Sequence, residues 1–432
     1  MRFVFKRGKK HRPKRNRLTT LKLKSLKMTK KTKRPHVLIA GGGIGGLTAA
    51  LALLKRGFDV DVYEQASELR EVGAGVQLSA NGVRVLHELG VLPEFRALAC
   101  EAEGKEIRLW NSGQAWKLFE VGLESVERYG FGHYLTYRPD LLAVLVEGVR
   151  REKPDAIHLN ARCSSFEHSA QNVTLQYETG GQTYTAQGDC LIGADGVHSR
   201  IRHGLFGDDH PVYTGMLSWR GVVPMDKLPA HMRRMVGTNW VGPGGHVVHY
   251  PVHRGEYMNF NGIMEVEGWQ VESWSAQGTH EECHATFAGW HDDIHSMIRL
   301  FSKPYKWALM GREPLSQWSV GRVSLLGDAC HSMLPMLAQG AVMSLEDGLV
   351  LARALEAAGD DVVQGLERYQ RARIERTTKV VLGSAENGKR FQSRTLADAA
   401  SAEEYVNREW TPEKVRARYQ WLYEYDVTKV PV

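Results

Sequence analysis

The chain has 432 residues, 43% hydrophobic and 24% charged, enough for two or three domains with cores of their own. Its formal charge of +7 misleads: residues 1–34 hold 16 Lys and Arg and no acid, leaving 40 basic against 49 acidic side chains elsewhere, a charge of −9. A basic nucleic-acid-binding surface is therefore not implied for the folded part, and every apolar run is too short to span a bilayer.

The basic head, residues 1–34, reads as a disordered extension with no apolar segment of the secretory kind. Met28 offers a second start just before Pro35, and Lys-rich spacing such as KRGKKHRPKR fits an amphipathic transit helix poorly. Five cysteines (Cys100, Cys163, Cys190, Cys283 and Cys330) are odd in number and lack metal-ligand spacing. They point to reduced thiols in a cytoplasmic protein and to no metal site.

From Pro35 the chain reads PHVLIAGGGIGGLTAALALLKRGFDVDVYE. An apolar strand, Val37–Ala40, breaks at Gly41, Gly43 and Gly46; an apolar helical run follows to Leu54, then a strand at Asp59–Tyr63 ending on Glu64. That strand, turn, helix and strand order is the context in which G-x-G-x-x-G signifies a dinucleotide site. Gly41 permits the turn, Gly43 leaves room for a pyrophosphate, and Gly46 lets the helix approach the sheet. Free N–H groups at the helix start face the phosphates, and Glu64 can accept from ribose hydroxyls.

Beyond Arg70, Gly73 and Gly75 flank a turn before Val76–Leu78, and Ser79 to Asn81 start a helix that Gly90 can stop. Lys105 to Phe119 reads as a hairpin around Gly113, and Arg138-Pro139-Asp140 opens a helix with Pro and Asp in its first turn. Strands follow at 164–168, 173–179 and 190–192, the last running into Gly193-Ala194-Asp195-Gly196. Residues 212–320 change character: LSWRGVV, HVVHYPV, YMNFNGIM and WQVESWS predict a mostly antiparallel sheet, with helical breaks near 280–290 and 292–301. After the strand-like 322–328 come helices over 345–358 and about 363–382. The stretch beyond 390 is helical or irregular, with Trp410, Tyr419, Trp421 and Tyr423 set to pack against the body or a partner. A second G-x-G-x-x-G is absent, so one dinucleotide is held firmly and any other visits.

Three motifs now stand in one chain: GGGIGG at 41–46, IGADGVHSRIR at 192–202 and GDACHSMLPMLAQGAVMSLED at 327–347. Together they resemble the single-component FAD-dependent aromatic hydroxylases, the para-hydroxybenzoate hydroxylase-like group, with salicylate hydroxylases and 3-hydroxybenzoate 6-hydroxylases nearest. The resemblance covers nearly all of residues 35–385. It implies an α/β architecture: a Rossmann-like FAD-binding domain over 35–211 and 321–385 with a strand-rich excursion near 105–135. An inserted, mostly antiparallel-sheet substrate domain would span 212–320, and a C-terminal helical or irregular extension 386–432.

Carried over, Gly41, Gly43, Ile44, Gly45, Gly46 and Glu64 would hold the ADP half of FAD. Arg70, Gly75 and Arg138 would lie along the cofactor, Asp195 would serve FAD and NAD(P)H, and Gly327 with Asp328 would meet ribityl or ribose hydroxyls. Gln339, Gly340 and Ala341 would bring backbone N–H groups beside the flavin ring, where a helix start stabilises negative charge. The plainer alternatives are turn caps for Asp195 and Asp328 and a surface cation for Arg138. The implied reaction takes NADH or NADPH as transient reductant and O2 as co-substrate, and hydroxylates a small aromatic acid through a flavin hydroperoxide.

His246 and Tyr250 lie four apart and so on one side of a strand, a spacing resembling a His and Tyr at the phenol site of 3-hydroxybenzoate 6-hydroxylases. They are the candidate proton route, the alternative being that His246 is an ordinary sheet histidine. Pro335 follows the salicylate-hydroxylase style, whereas Met336 replaces the histidine of some such enzymes. His331 reads as closing the flavin-side loop. Trp219, Arg220 and Trp240 are candidate cavity residues, Arg220 for a carboxylate. Rival readings are a hydroxypyridine-carboxylate (hydroxynicotinate-type) monooxygenase, a hydroxylase or epoxidase of larger natural products, a non-catalytic flavin binder, and a nucleic-acid module built on the basic head. The substrate's ring pattern and the assembly state stay open, a homodimer being compatible.

Overall fold

The computed structural model describes residues 34–69, 75–119, 123–266, 268 and 276–432. Of the features named above, the basic head up to residue 33, Arg70, Gly73 and WQVESWS lie outside them. Six strands form one sheet in the order Ser319–Val320, Val323–Leu325, Cys190–Gly193, His36–Ala40, Asp59–Tyr63 and Ile157–His158. All neighbours are parallel except the first pair. The middle strands read as unbroken apolar runs because helices cover both faces of such a sheet. The helix Ile44–Leu54 is apolar all round and buried along all but its last residue. It packs between the helices Arg138–Glu152 and Gly340–Ala358, and each Leu or Ile it buries contributes about 1.5–3 kcal/mol.

A seven-stranded sheet forms a second layer, in the order Tyr305–Gly311, Val212–Pro224, Tyr257–Glu265, Gly245–Val252, Val236–Gly242, Gly104–Leu109 and Ala115–Phe119. The hairpin at 104–119, attached to the nucleotide-binding part from sequence, enters this sheet by parallel pairing of Gly104–Leu109 with Val236–Gly242. One face of this roof carries the helices His280–Thr286 and Asp292–Leu300 over a cluster that includes Trp219, Trp240, Phe260 and Phe287. Its other face looks onto a cavity.

The helix predicted to end near 382 runs from Val362 to Phe391, and two more follow at Ala399–Glu409 and Pro412–Tyr423, N-capped by the Asp398 and Thr411 side chains. Their aromatics pack on the body: Trp410 stacks on Phe391 at 6.2 Å and Tyr423 meets Tyr129 edge-on.

Candidate active site

Each glycine of the first turn is closed in or left open for a reason. Gly41 has φ +105°, and a Cβ there would lie 2.4 Å from the Ala194 carbonyl oxygen. A Cβ on Gly46 would lie 2.0 Å from the Gly41 oxygen, so helix and turn meet there without a side chain between them. Gly43 faces open space, with nothing within 4 Å of a Cβ. The first helical N–H groups, at Ile44 and Gly45, border the cavity beside it. Glu64 also borders the cavity while accepting from the backbone N–H of Gly42 at 2.7 Å and Ala66 at 2.8 Å. Its carboxylate, expected to accept from ribose hydroxyls, also braces the turn itself.

The cavity, about 870 Å³, runs from this turn to the roof sheet, at the upper end of the range for cofactor and small-molecule sites, about 300–1,000 Å³. Arg138, Asp195, Gly327, Asp328, Gly340 and Ala341 line it. Asp195 is also a cap: it accepts from Ser199 Oγ at 2.5 Å and from the N–H of Arg200 at 2.7 Å, and burial raises its carboxyl against those bonds. Gln339 does not line the cavity: its side chain is buried, donating to Ser79 Oγ and accepting from Asn81. Gly75 borders the cavity and donates to Asn259 Oδ1 at 2.7 Å; a Cβ on it would lie 2.5 Å from the Tyr250 ring. An open glycine turn, a helix start aimed at the same space and acidic side chains along it fit a dinucleotide.

Strand pleating decides which roof residues meet the cavity. In one row His246 stands between Val241 and Ile263, followed by Ser218 and Trp307. In the next, Asn239, Val248, Asn261 and Arg220 stand side by side; in the third, Tyr250 lies beside Asn259. Arg220 Nε donates to Ser218 Oγ at 3.3 Å, and its guanidinium lies 3.9 Å from the Trp307 ring centre. Lys105 on the edge hairpin also lines the cavity, and desolvation lowers its ammonium.

Parity overturns two expectations. Trp219 and Trp240 sit on the helix-covered face: Trp219 Nε1 donates to Thr286 Oγ1 at 3.2 Å, and Trp240 packs on His291 at 5.1 Å. Neighbours Trp219 and Arg220 cannot share a face without a bulge. His249 likewise points away, into a small polar pocket with Arg108 and Asp293.

His246 and Tyr250 do share the cavity face, but four residues of strand separate them by about 13 Å. They meet opposite ends of the space rather than one proton. Burial pushes the His246 imidazole down to about 3, and burial holds the Tyr250 phenol protonated, the nearby Arg220 charge opposing. Pro335 and Met336, in the turn Pro335–Leu337, close the floor, and Asn387 Nδ2 donates to the Met336 carbonyl at 2.7 Å. His331 lies behind this floor, buried, 2.6 Å from Asp347.

Sequence reasoning missed Lys105, the Asn259 and Asn261 pair, Phe391, Gln392 and Tyr419. The asparagines were readable, since YMNFNGIM alternates polar with apolar. The last three come from residues beyond 390 or at its edge and carry no motif.

The chain matches the FAD binding domain family over residues 34–384 and belongs to it. It is an FAD-dependent aromatic monooxygenase. It is 37% identical over 399 residues to 3-amino-4-hydroxybenzoate 2-monooxygenase PtnB3 of Streptomyces platensis, covering 92% of this chain and 98% of that one. It is 36% identical over 392 residues to 3-hydroxybenzoate 6-hydroxylase of Polaromonas naphthalenivorans (strain CJ2), covering 90% and 96%. Among solved structures, Klebsiella pneumoniae HpxO complexed with FAD and uric acid superposes with TM-score 0.78 at 26% identity, covering 92% and 97%. A salicylate hydroxylase substrate complex gives 0.74, also at 26%, with the same coverage.

Proposed function

We propose that the substrate is a small aromatic carboxylic acid bearing a hydroxyl or amino group, bound with its ring between the roof sheet and the Pro335–Leu337 turn. One observation carries this: a single cavity joins the dinucleotide-binding turn to a roof face on which Arg220, His246 and Tyr250 stand at spaced positions. Arg220 supplies a carboxylate partner in the middle row, and His246 meets a ring oxygen at one end. The named activities of the two curated relatives, on an aminohydroxybenzoate and a hydroxybenzoate, support that class.

FAD, reduced by NADH or NADPH, supplies the activated oxygen; Gly43, Ile44, Gly45, Glu64, Arg138, Asp195, Asp328, Gly340 and Ala341 would hold it. Met336, Phe391 and Tyr419 exclude water from the ring's neighbourhood, which protects a reactive oxygen donor. In this reading residues 35–211 and 321–385 bind the cofactor and 212–320 bear most of the roof. Five free, buried cysteines support a cytoplasmic setting, and among the described residues no helix is long and apolar enough to cross a membrane.

The test is a panel of hydroxybenzoates, aminobenzoates and hydroxynicotinates, read by substrate-stimulated NAD(P)H consumption and product mass. One class should raise consumption and gain one oxygen; product mass also shows any loss of CO2. His246→Ala should cut turnover about tenfold or more while FAD content holds. Uniform indifference to every acid in the panel would overturn the substrate class.

A further inference from the structure

His246 does not stand alone. Its Nδ1 lies 3.0 Å from the side-chain nitrogen Nε2 of Gln392, and both residues are buried. Gln392 follows the last residue of the helix Val362–Phe391, beyond the span 34–384 that matches the family. Its backbone is tied at both ends: its N–H donates to the Gly388 carbonyl at 3.1 Å, and its carbonyl accepts from Gly244 N–H at 3.0 Å. The second bond locks it to the turn that starts the strand bearing His246. Phe391 packs on the imidazole at 5.3 Å.

We infer that Gln392 is a positioning residue that holds His246 as the Nε2–H tautomer, so that His246 offers the substrate's ring oxygen a hydrogen-bond donor rather than a base. An amide nitrogen has only hydrogens to give, so the Nδ1 facing it must accept. A neutral imidazole carries one N–H, which therefore sits on Nε2, the ring nitrogen left for the cavity. Burial keeps the ring neutral through the working pH range. The site then favours the phenol's anionic form: the phenol gives its O–H proton to water as it enters the cavity, and Nε2–H stabilises the phenolate oxygen once bound. An amide turned the other way would require Nδ1–H and leave Nε2 as an acceptor, which is the base reading. The tautomer decides between them.

The inference rests on the substrate placement proposed above, and the experiment separates the two. The FAD-loaded enzyme, 15N-labelled at histidine, is examined by NMR with the His246 signals assigned by their loss in His246→Gln. The expected result is an Nε2–H tautomer that does not titrate between pH 5 and 9, turning into a tautomer mixture in Gln392→Met at unchanged FAD content. Activity should rank wild type, then His246→Gln, which keeps a donor but cannot act as a base, then His246→Ala. The gap between the two variants should be about tenfold or more. An Nδ1–H tautomer in the wild type, or His246→Gln as inactive as His246→Ala, overturns the donor role and leaves the substrate placement standing. Wild-type activity in His246→Ala overturns both.

Discussion

At the scale of single residues, the glycines and the strand parities were the readable part. Gly41 and Gly46 answer to close backbone approaches and Gly43 to the open space between them, all at fixed spacing, so their jobs follow from position alone. The same holds for His246 and Tyr250, whose even separation puts them on one face. Trp219 and Trp240 were misplaced because aromatic character was weighed above the period of two. Gln392 was illegible for another reason: it reaches His246 across 146 residues of chain, a proximity no local pattern announces. Two substitutions test this scale. Gly46→Ala must displace the Gly41 carbonyl, and FAD binding, measured by flavin retained on purification, should weaken at least about tenfold. Gly75→Ala presses on the Tyr250 ring instead, so flavin content should hold while turnover falls, by up to about a hundredfold.

At the scale of elements, helices and strands were placed well where their patterns were long, and poorly where tertiary contact extends them. The helix Val362–Phe391 outruns its apolar periodicity because its last turns bury Ser384, Asn387, Gly388 and Phe391, with Asn387 held by the Met336 carbonyl; its middle buries charge as well. Arg373 donates to Glu346 and Asp347, each at 2.7 Å, and Arg376 donates to Glu346 at 2.8 Å, all deep between this helix and Gly340–Ala358. Burial works to raise the Glu346 and Asp347 carboxyls, yet the arginines, with His331 beside Asp347, hold both below their ordinary values. The acid pair inside the apolar run SLEDGLVL was the available signal that cations had to arrive from elsewhere. Arg373→Met leaves buried acids without compensation and should lower stability by about 3–5 kcal/mol in a denaturant titration. The strands His36–Ala40 and Asp59–Tyr63 add a pH-dependent clasp: Asp61 bonds His36 at 2.8 Å and Lys153 at 2.9 Å. The Asp61 bond raises the His36 pKa, so that contribution is complete below about 6.5 and fades as pH rises through the raised value. Desolvation opposes the ionised Asp61 carboxyl, but its bonds to His36, Lys153 and His158 outweigh it and depress its pKa. Its contribution is therefore present above about 4 and fades in acid. Asp61→Asn should cost about 1–2 kcal/mol between those limits and flatten melting temperature against pH.

At the scale of the whole molecule, the two-layer plan followed from the change of idiom near residue 212, whereas the loan of the 104–119 hairpin to the roof did not. That hairpin pairs with a strand some 130 residues later, and only the assembled sheet reveals it. The charge split between head and body makes its own prediction. Protein begun at Met28 should lose affinity for heparin or nucleic acid yet keep its yellow colour and its activity, since the remainder is net acidic. Binding and flavin absorbance measured side by side decide it.

The strand order of the parallel sheet has a consequence for how the protein is born. The turn that receives the nucleotide emerges from the ribosome early, yet its flanking strand pairs with Cys190–Gly193, which in turn pairs with Val323–Leu325. Gln392 and Tyr419 leave the tunnel later still. At about 5–20 residues per second, tens of seconds separate the first glycine from the last wall of the cavity. Any nascent chain able to take up flavin before that moment would hold it in an unfinished, open vessel.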